Sequence, residues 1–184
     1  MEEQKRDELC EWLKEIEAFE TTPWTALPEL ELYMDQVITL INRGLDPLLA
    51  DTDRTVTPSM INNYVKAEVL PRPLKKRYNR EHLTLLSLIC MLKSELSLQE
   101  IRDLFAVLTA EYPIETLYTD YCDSQIGYLK EAVSRVGDPT ALSDSEKARL
   151  ATELALEANA KRLIAAKLVA SIAPEEDKDK KKKE

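Results

Sequence analysis

Between Arg54 and Arg80 the chain places Arg54, Lys66, Arg72, Lys75, Lys76, Arg77 and Arg80 against a single acid, Glu68. That stretch is +6 in a protein of net charge −9, which leaves −15 on the remainder. Clustered guanidinium and ammonium groups meet phosphate oxygens and release condensed counterions, which is the chemistry of a nucleic-acid contact. The plainer reading of the same residues is a solvated loop whose cations hold nothing specific.

Bond-breaking chemistry is poorly provided for. His82 is the only histidine, so a nucleophile-and-base pair has one candidate base, and its place at the start of an apolar helix suits packing or capping. Gly44, Gly127 and Gly137 are too dispersed for a phosphate-cradling loop. Cys10, Cys90 and Cys122 have neither zinc-site spacing nor an even count, which implies reduced thiols and a cytoplasmic setting. Cys90 reads as an inert core thiol; nothing basic beside Cys10 or Cys122 argues for a redox switch. No carboxylate pair suggests acid-base work, and neither a metal nor a cofactor is expected. No signal peptide is expected, because the first twenty residues are charged throughout, and the longest uncharged apolar run, 83–92, is about half a membrane span.

The elements that must position the basic residues are helical. Glycine is scarce, while leucine, glutamate, alanine and lysine are abundant. Leu9, Trp12, Leu13, Ile16 and Phe19 line one face of an amphipathic helix over about 3–20. A second helix is expected after Pro28, with Leu32, Val37, Leu40 and Ile41 inward and an end near Gly44. Residues 46–53 read as a turn or loop. Thr57 followed by Pro58 is a cap with proline at the first helical position. The short helix it opens, 58–67, turns Ile61, Tyr64 and Val65 inward and Ser59, Asn62, Asn63 and Lys66 outward.

Pro71 and Pro73 then forbid helix, so 70–78 is a tight extended loop or small hairpin. Asn79 caps a central helix to about residue 94, and Ser97 with Glu100 forms a capping box for the next. Ile114, Leu117, Tyr118, Tyr121 and Cys122 are the apolar positions of a helix that ends at Gly137-Asp138-Pro139. A second box, Ser143 with Glu146, opens a long helix to about residue 172. Its stripe of Leu150, Leu154, Ala158, Ala165, Val169 and Ile172 is widened by Leu156, Leu163 and Leu168. The tail 174–184 carries five acids and five bases and reads as disordered.

The succession from residue 55 to 108 resembles the winged helix-turn-helix domain of MerR-type transcription regulators. The residues that carry the likeness are Met60-Ile61-Asn62-Asn63-Tyr64 running to Val69-Leu70-Pro71, Lys76-Arg77-Tyr78, Glu81-His82-Leu83, and Ser97-Leu98-Gln99-Glu100-Ile101. Asn62 stands where that family has arginine, and Glu68 where it has glycine. More closely, the run from Leu32-Tyr33-Met34-Asp35-Gln36 to Ile101 is similar to an uncharacterised bacterial family of small proteins, a domain of unknown function with the same core.

The expected architecture is therefore all-α, a MerR-like core with a small wing. An N-terminal helix (1–26) leads to that core (27–110), followed by a C-terminal helical region (111–173) and the tail. Double-stranded DNA is the expected partner. Ser59, Asn62 and Asn63 would meet base edges, or else serve as surface and capping residues. Lys66 would flank the groove, and Arg72, Lys75, Lys76 and Arg77 would meet phosphate. Tyr64 and Tyr78 read as packing residues. The resemblance further implies a homodimer through the long C-terminal helix. The alternative is a helical protein-interaction adaptor that keeps the scaffold without binding DNA.

Overall fold

The structure, a computed structural model, describes residues 2–48 and 55–174. Arg54, the end of the 46–53 loop and all but the first residue of the tail thus lie outside the described residues. Within them the protein is all-helical, with seven α-helices and no strand. They are α1 (Glu2–Ala18), α2 (Met34–Gly44), α3 (Pro58–Lys66), α4 (Arg80–Leu92), α5 (Leu98–Glu111), α6 (Ile114–Val136) and α7 (Asp144–Ile172).

The local signals act as read. The Thr57 hydroxyl accepts from the Met60 N–H at 3.3 Å and starts α3. Asn79 caps α4 through the His82 N–H at 3.1 Å, and both Ser-x-x-Glu boxes close in both directions. Gly137, at φ 63°, ends α6 in a left-handed conformation that glycine adopts without strain.

Helix α4 is the axis of the fold. Every residue from His82 to Cys90 is buried, and α2 and α6 pack on it. Leu83, Leu86 and Ile89 share one core with Val37 and Ile41 of α2, Ile61 and Tyr64 of α3, and Ile101 and Phe105 of α5. Phe19 near the N-terminus and Val169 of α7 join the same core. Helix α1 lies against α6, and α7 against α5.

Two expectations need correction. The second helix starts at Met34, not after Pro28, because the backbone of Leu32 is paired antiparallel with Tyr78 through bonds of 2.8 and 2.9 Å. Once both polar groups of Leu32 are satisfied across the chain, no helical bond is required there. Tyr121 is 40% exposed, since α6 turns Leu117, Tyr118 and Cys122 inward instead. In α7 only Val169 is fully buried; Leu150, Leu154 and Ala165 are partly covered, and Leu156, Leu163, Ile164, Leu168 and Ile172 are exposed.

Candidate nucleic-acid interface

Ile61 and Tyr64 anchor α3 to the core. Their burial fixes the helix rotation, and with it the outward direction of Ser59, Asn62, Asn63 and Lys66, all four exposed. These side chains lie on the solvent face of α3, as its periodicity predicts.

The end of α3 is built by a less usual residue. The Val69 N–H bonds the Tyr64 carbonyl at 3.0 Å and the Glu68 N–H bonds that of Val65 at 3.2 Å, with Glu68 at φ 59°. This is a Schellman stop, whose left-handed position normally holds glycine. A side chain there costs about 1 kcal/mol. The glutamate leaves an exposed negative charge beside the outward face of α3.

Val69 and Leu70 are buried, and the chain turns outward through exposed Pro71 and Arg72. At Leu74–Arg77 it reverses in two residues. The Arg77 N–H bonds the Leu74 carbonyl at 2.9 Å, and Lys75 and Lys76 both have positive φ, 49° and 62°. Such a primed turn matches strand twist but favours Asn-Gly. Two lysines held in left-handed conformations store roughly 1–2 kcal/mol each. Leu74, beside them, is 72% exposed.

Buried Tyr78 ties the base of this turn to the core, with its ring edge-on to His82 at 5.4 Å. Burial raises the phenol of Tyr78 above its ordinary range and pushes that of Tyr64 to about 12, so both stay neutral packing groups. His82 is a buried capping residue whose Nδ1 accepts from the Asn79 N–H at 3.2 Å. Desolvation lowers its pKa against the opposing pull of Glu81 and Glu31. Cys90 is a buried thiol pushed up to about 11, and burial raises Cys122 as well.

The six described cations of the basic stretch do not form a uniform surface. Lys66, Arg72, Lys75 and Lys76 are exposed along the α3 face and the turn. Arg77 is exposed too, but its guanidinium donates to the Tyr33 hydroxyl at 2.9 Å and lies 4.8 Å from that ring's centroid. Arg80 is structural: it donates to the Leu27 carbonyl at 2.6 Å, stands over the Trp24 ring and lies 3.6 Å from Glu29. Sequence reasoning missed the Tyr33 partner because it is 44 residues away. The Leu32-Tyr33 run was visible as a motif, but its pairing was not. Among the described residues no group of His, Cys, Asp and Glu gathers at metal-binding distance, and no helix is long and apolar enough to cross a membrane.

The family model for the domain of unknown function DUF1836 matches residues 22–121, a little over half of the chain. The protein belongs to this family. The DUF1836 match begins just before the Trp24–Ala26 turn, takes in α2 to α5 and ends inside α6, so it contains the whole basic stretch. No curated protein and no solved structure matches the chain.

Proposed function

We propose that this protein is a sequence-specific double-stranded DNA-binding transcription regulator, with a core of the winged helix-turn-helix kind seen in MerR-type regulators. The observation that carries the reading is the pair of left-handed lysines at the Leu74–Arg77 turn. A fold has no packing reason to hold two exposed ammonium groups on strained backbone, and the strain is rational where cations must project at a fixed point. The turn is the wing, and α3 the groove helix. Asn62 and Asn63 can each bond an adenine edge in bidentate fashion, with Ser59 beside them at the helix start. Lys66, Arg72, Lys75 and Lys76 supply phosphate contacts, and Arg77, held on Tyr33, adds a fifth cation of fixed direction.

The regulator acts as a homodimer in this reading. The row Leu156, Leu163, Ile164 and Leu168 on α7 is exposed in the single chain, and a second copy covers it. The same row is what favours the adaptor reading, in which a different protein takes that place.

The test is binding to mixed genomic duplex fragments at a series of salt concentrations. About five phosphate contacts per protomer give a log-log slope near −4.5, and about twice that for a dimer. Replacing Lys75, Lys76 and Arg77 together by glutamate flattens the slope and removes binding across all sequences. The Glu68→Gly variant removes a repulsive charge and a strained backbone position, so it raises both DNA affinity and melting temperature. Failure of the wild type to bind at low salt overturns the DNA reading and leaves the adaptor.

A further inference from the structure

The pairing of Leu32 with Tyr78 sets two further side chains against each other. Leu32 and Tyr78 exchange both of their backbone bonds, at 2.8 and 2.9 Å, and so form a hydrogen-bonded antiparallel pair. Next in register are Tyr33 and Arg77, one step on from Leu32 and one step back from Tyr78, at the kind of position where opposed side chains approach most closely. Along extended backbone, side chains alternate between faces. Buried Tyr78 therefore sends its neighbour Arg77 outward, and Tyr33 stands half exposed beside it. Backbone register, and not a casual meeting of two long side chains, makes this pair.

The contact between them leaves donors unused. Arg77 Nη2 donates to the Tyr33 hydroxyl at 2.9 Å, and the guanidinium carbon stands 4.8 Å from the ring centroid. Stacking uses the face of the guanidinium, and the hydroxyl takes one of its five N–H groups; the others have no partner among the described residues. Because the Tyr33 oxygen accepts, its own hydrogen is left to donate elsewhere. A phenolic O–H and a planar guanidinium edge, both exposed and fixed to each other, match two oxygens of one phosphate. We infer that Tyr33 and Arg77 form a clamp for a single backbone phosphate of duplex DNA, which makes Tyr33 a contact residue outside both α3 and the basic stretch.

Preorganisation is what the pair contributes. A free arginine side chain loses rotamer freedom when it meets phosphate, whereas Arg77 has already lost it on Tyr33. Tyr33 also directly precedes α2, with its N–H bonded to Gln36 Oε1 at 2.9 Å, so the clamp ties the start of α2 to the phosphate it holds. The clamp stands on the geometry of the pair; that its phosphate belongs to DNA rests on the function proposed above.

Tyr33→Phe keeps the ring, the stacking and the Gln36 bond and deletes only the hydroxyl. In the full chain it weakens binding to mixed genomic duplex fragments about tenfold, the worth of a hydrogen bond to a charged group, while the salt slope and melting temperature stay those of wild type. Arg77→Ala flattens the slope by about 1, one phosphate contact fewer. Adding Tyr33→Phe to Arg77→Ala costs little more than Arg77→Ala alone, because both side chains hold the same phosphate. Unchanged affinity in Tyr33→Phe, or losses that simply add in the double variant, overturns the clamp. A second measurement follows the Arg77 Nε–H resonance of the full chain during titration with inorganic phosphate, against chloride at matched ionic strength. The expected result is a saturable shift that Tyr33→Phe weakens, and its absence also overturns the clamp. A wild type that shows this shift and binds no duplex keeps the clamp and loses the regulator.

Discussion

Helices α4 and α7 are both rich in leucine, isoleucine and alanine or cysteine, yet one is swallowed by the core and the other lies on the surface. Nine consecutive residues of α4 are buried, while α7, more than twice as long, buries Val169 alone. Apolar content sets how much surface a helix would gain by hiding, roughly 25 cal/mol per Å². It does not say whether a partner surface exists within the same chain. Helix α4 has α2, α3, α5 and α6 around it; α7 lies along α5, sends only Val169 into the core, and is linked to α6 by the Arg135–Glu157 ion pair and by Lys161 over the Tyr128 ring.

The contrast is sharpest in stability. Ile89→Ala in α4 leaves a cavity in a fully packed region and costs about 3–4 kcal/mol in a urea titration. Leu163→Ala in α7 changes the same titration by less than about 0.5 kcal/mol at low protein concentration. A large loss for Leu163→Ala that grows with protein concentration would place this residue in a dimer interface, and one independent of concentration would break the comparison.

Helix caps give a smaller effect of the same kind. Asn79→Ala removes the cap of α4 and lowers global stability by about 1 kcal/mol, because the first turn of α4 belongs to the cooperative core. Ser143→Ala removes an equivalent cap from α7, where the first turn is exposed. The expected result is faster amide exchange over the first turn of α7 with little change in the global transition. Equal global losses from the two variants would mean that α7 folds as one unit with the core.

The smallest effect is on pH dependence. Burial holds His82 below the ordinary histidine value of about 6.5. Below that ordinary value the unfolded chain binds a proton that the folded chain resists. The contribution of His82 is therefore complete above pH about 6.5 and is lost as pH falls through its depressed pKa. Stability measured from neutral to mildly acidic pH should decline less in His82→Gln than in wild type. A parallel decline in both would show that the carboxylates alone set the acid limb.

Helix starts and stops were legible because capping is local chemistry: Thr57-Pro58, Asn79, Ser97 with Glu100, Ser143 with Glu146, and Gly137 each act within a few residues. The outward set on α3 was legible for the same reason, since periodicity and two buried anchors determine its rotation. Charge localisation was also visible in the residue string.

What only the tertiary structure decided involves residues far apart in the chain. The pairing of Leu32 with Tyr78 displaced the start of α2, Tyr33 took up Arg77, and Trp24, Leu27 and Glu29 removed Arg80 from the basic surface. The left-handed backbone at Glu68, Lys75 and Lys76 was equally hidden, because those residue types argue against it and only the surrounding anchors enforce it. The exposed row on α7 belongs to the same class. Its hydrophobicity was in the sequence, but whether the fold covers it depends on which surfaces the other helices had already filled.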